Sequence, residues 1–390
     1  MNLIEKEHEV ILQTYKRLPI EVDYALGARI FDKNGNEYLD FLGGIAVNAL
    51  GHSHPEIIKA IQEQAPKYLH ISNYFYQEPQ IKLAEKLCQM SGYSKVFFSN
   101  SGTEATEGAI KLVRRWASDK DKSNIFAFSG GFHGRTYGAL SIMDKPLYKE
   151  KMGPFLADTF VIKYNDIDEL KANINEKTAG VFLEFIQGEG GISSISQEFA
   201  EELIKLKNKF NFLIVADEIQ AGTGRTGDLF AFEKYCLRPD IITMAKGIGG
   251  GLPLGGFLVD SHLESIFEKG MHGTTYGGNA LACTTGLVVL NELEKSVFQN
   301  VKDVGLFFIN ELKKIQEKYP QLINEVRGRG LILGLSLTFD ATILMNKLLD
   351  KHIITNAASG TVLRLVPPLI ITKEDVKLFI EKLDLLLSEM

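Results

Sequence analysis

Three segments of the chain place reactive side chains directly after a short apolar run. Ser101, Gly102 and Thr103 follow the first run. Asp217 ends the second run, and Lys246 lies just beyond the third, before a glycine-rich turn. The free backbone N–H groups at a helix start can hold a phosphate. A carboxylate at a strand end can bind Mg²⁺ or a cationic ring. A partly desolvated lysine can lose its proton and act as an amine nucleophile.

Each segment also has an ordinary structural interpretation. The Ser-Gly-Thr turn can be an N-cap, the acid a turn residue and the lysine a solvated loop residue. Taken together, however, a phosphate cradle, an acid and a lysine are what pyridoxal phosphate requires for its phosphate, its pyridine nitrogen and its aldehyde. Lys246 comes 29 residues after Asp217, which leaves room for one crossover helix and the next strand. We therefore predict that the two side chains lie close together.

Seven short runs, rich in β-branched and aromatic residues, are the candidate strands. They are residues 96–98, 125–128, 160–162, 181–183, 213–216, 241–242 and 257–259. Such runs are typical of strands buried on both faces. Between them, helical spacing of apolar residues appears over 103–118 and 199–210. This alternation predicts an α/β fold with a mostly parallel sheet.

The two ends of the chain have a different pattern. Residues 30–41 predict a hairpin around an Asn-Gly turn. After about residue 285, a long amphipathic helix is predicted over 301–315 and a strand over 331–337. A capping box is predicted at 372–375 before the last helix. The expected organisation is an N-terminal segment (1–45) that packs with the small domain, a large cofactor-binding domain (46–284) and a smaller α+β domain (285–390).

Composition limits the class of protein. The 390 residues carry a formal net charge of −6, which argues against a dominant nucleic-acid surface. Three widely separated cysteines form no metal-ligand pattern and favour a reducing compartment. The charged start is not typical of a signal peptide, and no apolar run reaches the roughly 18 residues needed to span a bilayer. We expect a cytoplasmic protein with no metal, membrane or nucleic-acid partner.

Two other motifs are predicted to have no catalytic role. His52 and His54 have no third metal ligand nearby in the sequence and predict a loop. The basic residues 327–330, with the sequence Arg-Gly-Arg-Gly, predict a turn between a helix and a strand rather than an RNA contact.

The sequence resembles the class III, or ornithine-type, aminotransferases of the fold-type I pyridoxal-phosphate enzymes. The resemblance runs over nearly the whole chain. Its motifs are NSGTEA at 100–105, GFHGRT at 131–136, QGEGG at 187–191, DEIQ at 217–220, GTGRTG at 222–227 and HGTTYGGN at 272–279. The implied fold has a large domain with a mostly parallel seven-stranded sheet and a smaller α+β domain.

The resemblance also implies how the cofactor is bound. Lys246 would be the Schiff-base lysine, and Asp217 would pair with the protonated pyridine nitrogen. The turn at 101–103 would hold the phosphate, mainly through its last two residues. Phe132 would stack on the ring, and Gln220 would contact the ring hydroxyl.

Further residues match positions for the partner subunit and the substrate. Thr275 would reach the phosphate of the partner subunit, which implies a homodimer with shared sites. Arg135 and Thr274 match substrate-contacting positions. Arg364 matches the arginine that binds the α-carboxylate of glutamate or 2-oxoglutarate, and Glu184 the acid that pairs with it when another donor is bound.

One departure concerns this acid. The family usually has Glu-Pro-Ile-Gln where this chain has Phe185 in place of the proline. This difference affects the backbone that orients the Glu184 side chain. It does not involve the residues of the predicted cofactor site.

The implied activity is transfer of the terminal amino group of N-acetylornithine to 2-oxoglutarate, a step of arginine biosynthesis. The stretch 69–79 looks like the acetylornithine type. Alternative donors are ornithine, succinyldiaminopimelate, succinylornithine and 4-aminobutyrate, and a glutamate-semialdehyde aminomutase is a further alternative. A non-catalytic regulatory module would be expected to lack the lysine or to carry an added DNA-binding domain. A nicotinamide oxidoreductase would need a Gly-x-Gly-x-x-Gly turn after the first strand, and the glycines at 247–251 lie elsewhere.

Overall fold

A computed structural model of the chain describes residues 3–390. The strands are β1 (Val22–Leu26), β2 (Arg29–Asp32), β3 (Glu37–Asp40), β4 (Lys95–Ser99), β5 (Asn124–Phe128), β6 (Thr159–Ile162), β7 (Thr178–Leu183), β8 (Ile186–Gln187), β9 (Ser193–Ser194), β10 (Leu213–Asp217), β11 (Ile241–Met244), β12 (Gly255–Val259), β13 (Ile323–Arg329), β14 (Ile332–Leu337), β15 (Ile353–Ile354), β16 (Asn356–Ala358) and β17 (Val362–Leu365).

The α-helices lie between these strands and at the two ends of the chain. They are α1 (Leu3–Val10), α2 (Gly43–Ala46), α3 (Pro55–Gln64), α4 (Glu78–Ser91), α5 (Gly102–Ala117), α6 (Tyr137–Ser141), α7 (Ile167–Asn173), α8 (Gln197–Phe210), α9 (Ala280–Glu292), α10 (Phe298–Lys318), α11 (Ala341–Asp350) and α12 (Lys373–Ser388).

All seven predicted apolar runs form one seven-stranded sheet. Its order is β4-β12-β11-β10-β7-β5-β6. The pairs among β11, β10, β7, β5 and β6 are parallel, and only β12 runs against its two neighbours. The expected α/β class with a mostly parallel sheet is confirmed.

Helices cover both faces of this sheet, and alternate strand residues face opposite sides. Phe182 and Val215 belong to an apolar cluster with Trp116 of α5. Their chain neighbours Val181 and Ile214 belong to the larger core on the other face, which includes the apolar side of α8. Burial on both faces explains why these strands are continuously apolar rather than alternating.

The two ends of the chain meet in a second region. The predicted hairpin forms as β2 and β3, and β15 pairs with β3 in parallel. Arg29 Nη2 lies 2.5 Å from Asp375 Oδ1, at the start of α12. There Thr372 and Asp375 form the predicted capping box. The N-terminal strands therefore pack against the C-terminal region, while the domain boundaries at 45 and 284 stay predictions.

A buried arginine joins the large sheet region to this second region. Arg225 is 2% exposed, and its Nη1 donates to the carbonyl oxygens of Leu331 at 2.9 Å and Pro367 at 2.6 Å. Burial lowers the pKa of Arg225 to about 9. Because a buried guanidinium without acceptors is costly, these carbonyls fix the loop after β10 against the C-terminal strands.

The prediction of a turn at 327–330 is wrong. Residues up to Arg329 belong to the edge strand β13, which pairs antiparallel with β14. Arg327 donates to the carbonyl of Gly191, and Arg329 to that of Ala231. Backbone hydrogen bonds to β14 stabilise a strand here, although the local sequence favours a turn.

No helix within residues 3–390 has the length and apolar character to cross a membrane.

Candidate active site

The carboxyl ends of the parallel strands bring the predicted site residues to one edge of the large sheet. Asp217 ends β10 and lies in register beside Thr243 of β11. Glu184 directly follows β7, on the other side of β10, and Lys246 follows β11 after one residue. Adjacent parallel strands therefore account for the predicted proximity of Asp217 and Lys246, although they lie far apart in sequence.

A cavity of about 440 Å³ opens at this edge. Its walls come from six segments: residues 47, 100–103, 132–135, 219, 245–246 and 251–254. The predicted Ser101, Gly102, Thr103, Phe132, Arg135 and Lys246 all line it. The fold thus brings these six residues together around one cavity, along with others, such as Ile219, that were not predicted.

The turn that begins α5 has the character of an anion cradle. Ser101 is the N-cap and its hydroxyl accepts from the Glu104 N–H at 3.3 Å. In the described part of the chain, the N–H groups of Gly102 and Thr103 have no acceptor. A Cβ on Gly102 would lie 2.8 Å from Ile219 Cδ1, so only glycine leaves this wall open. The N-cap interpretation is therefore confirmed, and because two amides remain free for a ligand, phosphate binding stays a prediction.

Asp217 is 4% exposed and is held by two donors. Its Oδ2 lies 2.7 Å from His133 Nδ1, and its Oδ1 accepts from the Ile219 N–H at 3.1 Å. Burial alone would lower the pKa of His133, but the hydrogen bond to Asp217 and the negative charges of Asp217 and Glu184 together outweigh burial, and the pKa rises. The contact therefore favours a charged imidazole and fixes the acid in one orientation.

Lys246 is half-buried and adopts a φ of +50°, in the left-handed region that non-glycine residues rarely occupy. Such backbone strain persists where the surrounding structure enforces it. Burial lowers the Lys246 pKa, while the negative charge of Asp217 acts in the opposite sense. Within residues 3–390, no acceptor lies at hydrogen-bond distance from its ammonium. The amine is thus available to a ligand in the cavity.

Glu184 holds two backbone segments rather than an arginine. Its Oε1 accepts from the Phe132 N–H at 2.7 Å and its Oε2 from the Gly188 N–H at 3.1 Å. Burial, assisted by the nearby Asp217, raises the pKa of Glu184 to about 7. Its carboxylate therefore joins the loop after β5 to the loop after β8.

The acid paired with Arg364 in this structure is Glu189. Arg364 is 2% exposed, and its Nη1 lies 2.6 Å from Glu189 Oε1 and 3.2 Å from Gln220 Oε1. Its Nη2 donates to Asn356 Oδ1 at 2.6 Å. Burial alone would raise the Glu189 pKa, but Arg364 reverses this and the pKa is lowered. Without a substrate, Arg364 therefore contacts Glu189, while both Glu184 oxygens accept backbone N–H groups. The pairing of Arg364 with Glu184 when another donor is bound stays a prediction.

Of three further predicted residues, Arg135 lines the cavity, Thr274 borders it through Asn100, and Thr275 lies outside it. Arg135 is exposed, with its Cζ 5.5 Å from the centroid of the Phe132 ring. The Thr274 hydroxyl accepts from Asn100 Nδ2 at 3.1 Å. Thr275 is exposed and does not line the cavity of its own chain. Its contact with the partner subunit stays a prediction.

Comparison with known proteins decides the family. The sequence profile of aminotransferase class III matches residues 11–387. The chain belongs to the class III aminotransferases. It is 42% identical over 371 residues to the acetylornithine aminotransferase of Clostridium acetobutylicum, which covers 94% of this chain and 96% of that relative.

Solved structures agree with the family. The crystal structure of N-acetylornithine aminotransferase from Stenotrophomonas maltophilia K279a is similar at a TM-score of 0.85 and 35% identity, over 99% of both chains. An ornithine aminotransferase from Toxoplasma gondii, with partial occupancy of PLP at its active site, has a TM-score of 0.93 at 30% identity, covering 99% of this chain and 94% of that one. This class III aminotransferase is therefore a fold-type I, pyridoxal-phosphate-dependent transaminase, and the predicted family and fold are confirmed.

Three residues of this class III site have no individual role in the sequence analysis. His133 contacts Asp217. Ile219 forms a cavity wall, and its signal is an apolar residue between polar ones just after a strand. Glu189 lies within the QGEGG motif and contacts Arg364. In each case the missing information is which long-range neighbour the side chain meets.

Asp217 and Glu218, the two acids at the end of β10, have different contacts. The pH dependence of the free energy of unfolding tests the role of Glu218. Glu218 is fully buried and accepts from the N–H groups of Ala231 and Phe232, each at 2.9 Å. Burial raises its pKa to about 8. An acid with a raised folded-state pKa stabilises the fold below its unfolded pKa, and this stability is lost as pH rises through the folded pKa. Glu218 should therefore make the protein less stable as pH rises from about 4.5 to about 8.

We expect Glu218→Gln to remove this pH dependence. An amide cannot accept both hydrogen bonds, so the variant should be less stable overall by about 1–3 kcal/mol. Its free energy of unfolding should nevertheless fall less than that of the wild type between about pH 5 and about pH 9, in urea unfolding of both proteins. The exposed Glu198→Gln is the control and should follow the wild type. An equal pH dependence in the Glu218 variant would contradict the interpretation.

Proposed function

We propose that this class III aminotransferase transfers the terminal amino group of N-acetylornithine to 2-oxoglutarate and forms N-acetylglutamate 5-semialdehyde and glutamate. The observation that carries the chemistry is that Lys246, His133 and the free amides of residues 102–103 line one cavity, with Asp217 bound to His133 behind its wall. The choice of donor rests on the relatives, which bear the name acetylornithine aminotransferase at about 40% identity over nearly full length. This reaction belongs to arginine biosynthesis.

The residues present suit pyridoxal phosphate. Gly102 and Thr103 offer unpaired N–H groups for its phosphate, and glycine at 102 leaves space that a Cβ would fill. Phe132 and Ile219 supply apolar walls for a flat ring, and the buried Asp217 supplies an acid for the ring nitrogen. Gln220 is the predicted contact of the ring hydroxyl. When bound, the cofactor supplies an electrophilic aldehyde and an electron-withdrawing pyridinium ring.

Each residue then has a distinct task. Lys246 Nζ accepts and returns the proton that moves between carbon atoms, and its lowered pKa increases the neutral fraction of the amine that can do so. Asp217 holds the proton on the ring nitrogen. His133 keeps that carboxylate in one orientation and, with its raised pKa, balances its charge.

Substrate binding requires the site to accept two chemically different partners. Arg364 is the predicted ligand of the α-carboxylate of glutamate, since a guanidinium donates two parallel hydrogen bonds to a carboxylate. When the donor presents an apolar chain instead, Glu189 balances this charge through its 2.6 Å contact. Arg135 and Thr274 at the rim remain the predicted contacts for the far end of the substrate. Whether Glu184 also touches a substrate stays a prediction.

We further propose a cytoplasmic homodimer with shared sites. Thr275 is exposed in its own chain, and so is a group of apolar rings on the same surface. They are Tyr74 (94% exposed), Phe75 (63%), Tyr76 (97%) and Tyr276 (62%). Asn73 ties the two segments together by donating to the carbonyls of Thr274 and Gly277. An ordered aromatic surface of this kind is typical of a subunit interface.

The donor is tested by a panel of amines with 2-oxoglutarate. We expect the highest kcat/KM with N-acetylornithine, ahead of ornithine, succinylornithine, succinyldiaminopimelate and 4-aminobutyrate, because the donor-binding groups match the acetylornithine type. Lys246→Ala is the control, and it should lose both turnover and the borohydride-fixable visible band near roughly 400 nm. Turnover without a visible band would contradict the chemistry, and a preference for another donor would replace the proposed substrate.

A second prediction concerns the charge pair. Glu189→Gln should leave Arg364 without its counter-charge, so the half-reaction with glutamate is kept or improved while that with N-acetylornithine loses efficiency. The selectivity should shift by about 1–3 kcal/mol in single-turnover kinetics of each half-reaction. Glu184→Gln is the comparison, and it should reduce both half-reactions alike because it weakens the link between Phe132 and Gly188. If only the Glu184 variant changes the selectivity, then Glu184 rather than Glu189 balances the charge of Arg364.

The shared site gives a third prediction. Lys246→Ala and Thr275→Asp chains are each expected to be inactive as homodimers, the second because a carboxylate repels phosphate. Their heterodimer should regain activity, since one of its two sites carries neither change. A heterodimer of Lys246→Ala with Asp217→Asn is the control and should stay inactive, because both changes affect sites within their own chains. Verified heterodimers that recover nothing in either case would favour a site closed within one chain.

A further inference from the structure

The guanidinium of Arg135 is ordered by an aromatic ring rather than by an acid. Its Cζ lies 3.6 Å from the centroid of the Tyr148 ring, closer than its 5.5 Å approach to Phe132. No hydrogen bond or ion pair within residues 3–390 involves its guanidinium. A stacked guanidinium keeps its N–H donors at its edge, so they remain free for a carboxylate.

Tyr148 is itself fixed to the wall of the cavity. It ends a 3₁₀ turn (Pro146–Tyr148), and its ring meets that of Phe132 edge-on at 6.1 Å between centroids. The next residue, Lys149, donates from Nζ to the carbonyl of Met143 at 2.7 Å. The turn is therefore anchored on one side by a hydrogen bond and on the other by the ring that lines the cavity. A half-buried ring held in this way is a firm platform for a long, flexible side chain.

A second cation lies on the same platform. Lys145 Nζ is 4.7 Å from the centroid of the Tyr148 ring, and its charge also acts on Glu189 across the site. Two positively charged side chains, Arg135 and Lys145, therefore lie against the Tyr148 ring at the rim of the cavity. This rim would attract the carboxylate that an amine donor carries at the end away from the transferred amine.

We propose that Tyr148 is a specificity-determining, positioning residue: it holds the Arg135 guanidinium at the rim and so selects amine donors that bear a carboxylate remote from the reacting amine. This inference rests on the proposed function, in which N-acetylornithine is such a donor. The ring acts through Arg135 and takes no part in the chemistry at Lys246. Its removal therefore affects binding of one class of donor rather than the rate of the chemical steps.

The test compares two donors that differ by one group. N-acetylornithine carries the α-carboxylate, and N-acetyl-1,4-diaminobutane is the same molecule without it. With the holoenzyme, Tyr148→Leu should raise KM for N-acetylornithine about 3- to 10-fold, the strength of a cation–π contact, with kcat nearly unchanged. The kcat/KM for the donor without the carboxylate should not change. Tyr148→Phe retains the ring and should retain most of the affinity.

Phe155→Leu is the matched control on the same segment. The Phe155 ring packs against that of Tyr137 in a tilted arrangement, with 5.9 Å between centroids, and Lys149 Nζ lies 4.8 Å from the Phe155 centroid. Its loss should leave the ratio between the two donors as in the wild type. Equal losses with both donors in Tyr148→Leu would mean that the ring only supports the loop, and would overturn the inference. A loss in Tyr148→Phe as large as in Tyr148→Leu would do the same.

A binding measurement separates this inference from the proposed function. If the wild-type enzyme rejects N-acetylornithine, the proposed function fails, and titration calorimetry with glutarate then decides the role of Tyr148. Glutarate is an unreactive dicarboxylate, and it offers Arg135 a carboxylate without an amine to transfer. Weaker binding in Tyr148→Leu, but not in Phe155→Leu, would support the inference. Unchanged binding in both variants would overturn it.

Discussion

The parallel pairing of β10 with β7 and β11 is the constraint on which the rest of the site depends. In parallel strands, side chains at the carboxyl ends emerge at one edge, and the backbone there is free to turn toward a ligand. This single geometry brings Asp217, Lys246 and Glu184 together from three separate stretches of chain. Burial on both faces of the sheet holds the three strand ends in register, because a slip would expose apolar side chains.

The site then has to tolerate many charges in a small, poorly hydrated volume. It does so by pairing: Asp217 with His133, and Glu189 with Arg364, at 2.7 Å and 2.6 Å. Glu184 has no such partner and instead accepts two backbone hydrogen bonds. Its raised pKa and the lowered pKa of Lys246 have the same origin, since burial disfavours whichever form is charged. Burial thus favours the neutral form of the Lys246 amine, and the same burial makes an unpaired carboxylate costly.

The C-terminal region completes the site as well as the fold. Arg364 belongs to β17 and Asn356 to β16, yet Arg364 also contacts Glu189 and Gln220 on the loops after β8 and β10. Arg225 makes the reverse connection, from the large sheet region to carbonyls of the C-terminal strands. The proposed carboxylate site at Arg364 therefore depends on contacts between the two regions, whereas the Asp217–His133 pair lies within one.

The seven strands and the principal helices could be predicted from the sequence, because buried strands and helix starts have local signatures. The strand-end residues also indicated the groups proposed for cofactor chemistry. The sequence did not indicate the contact between Arg364 and Glu189, because it forms between distant segments while Glu184 accepts the Phe132 and Gly188 amides. The same holds for His133 and Tyr148, whose importance comes from Asp217 and Arg135, respectively. The tertiary structure alone decided these pairings, since they join residues that are brought together by packing and not by sequence pattern.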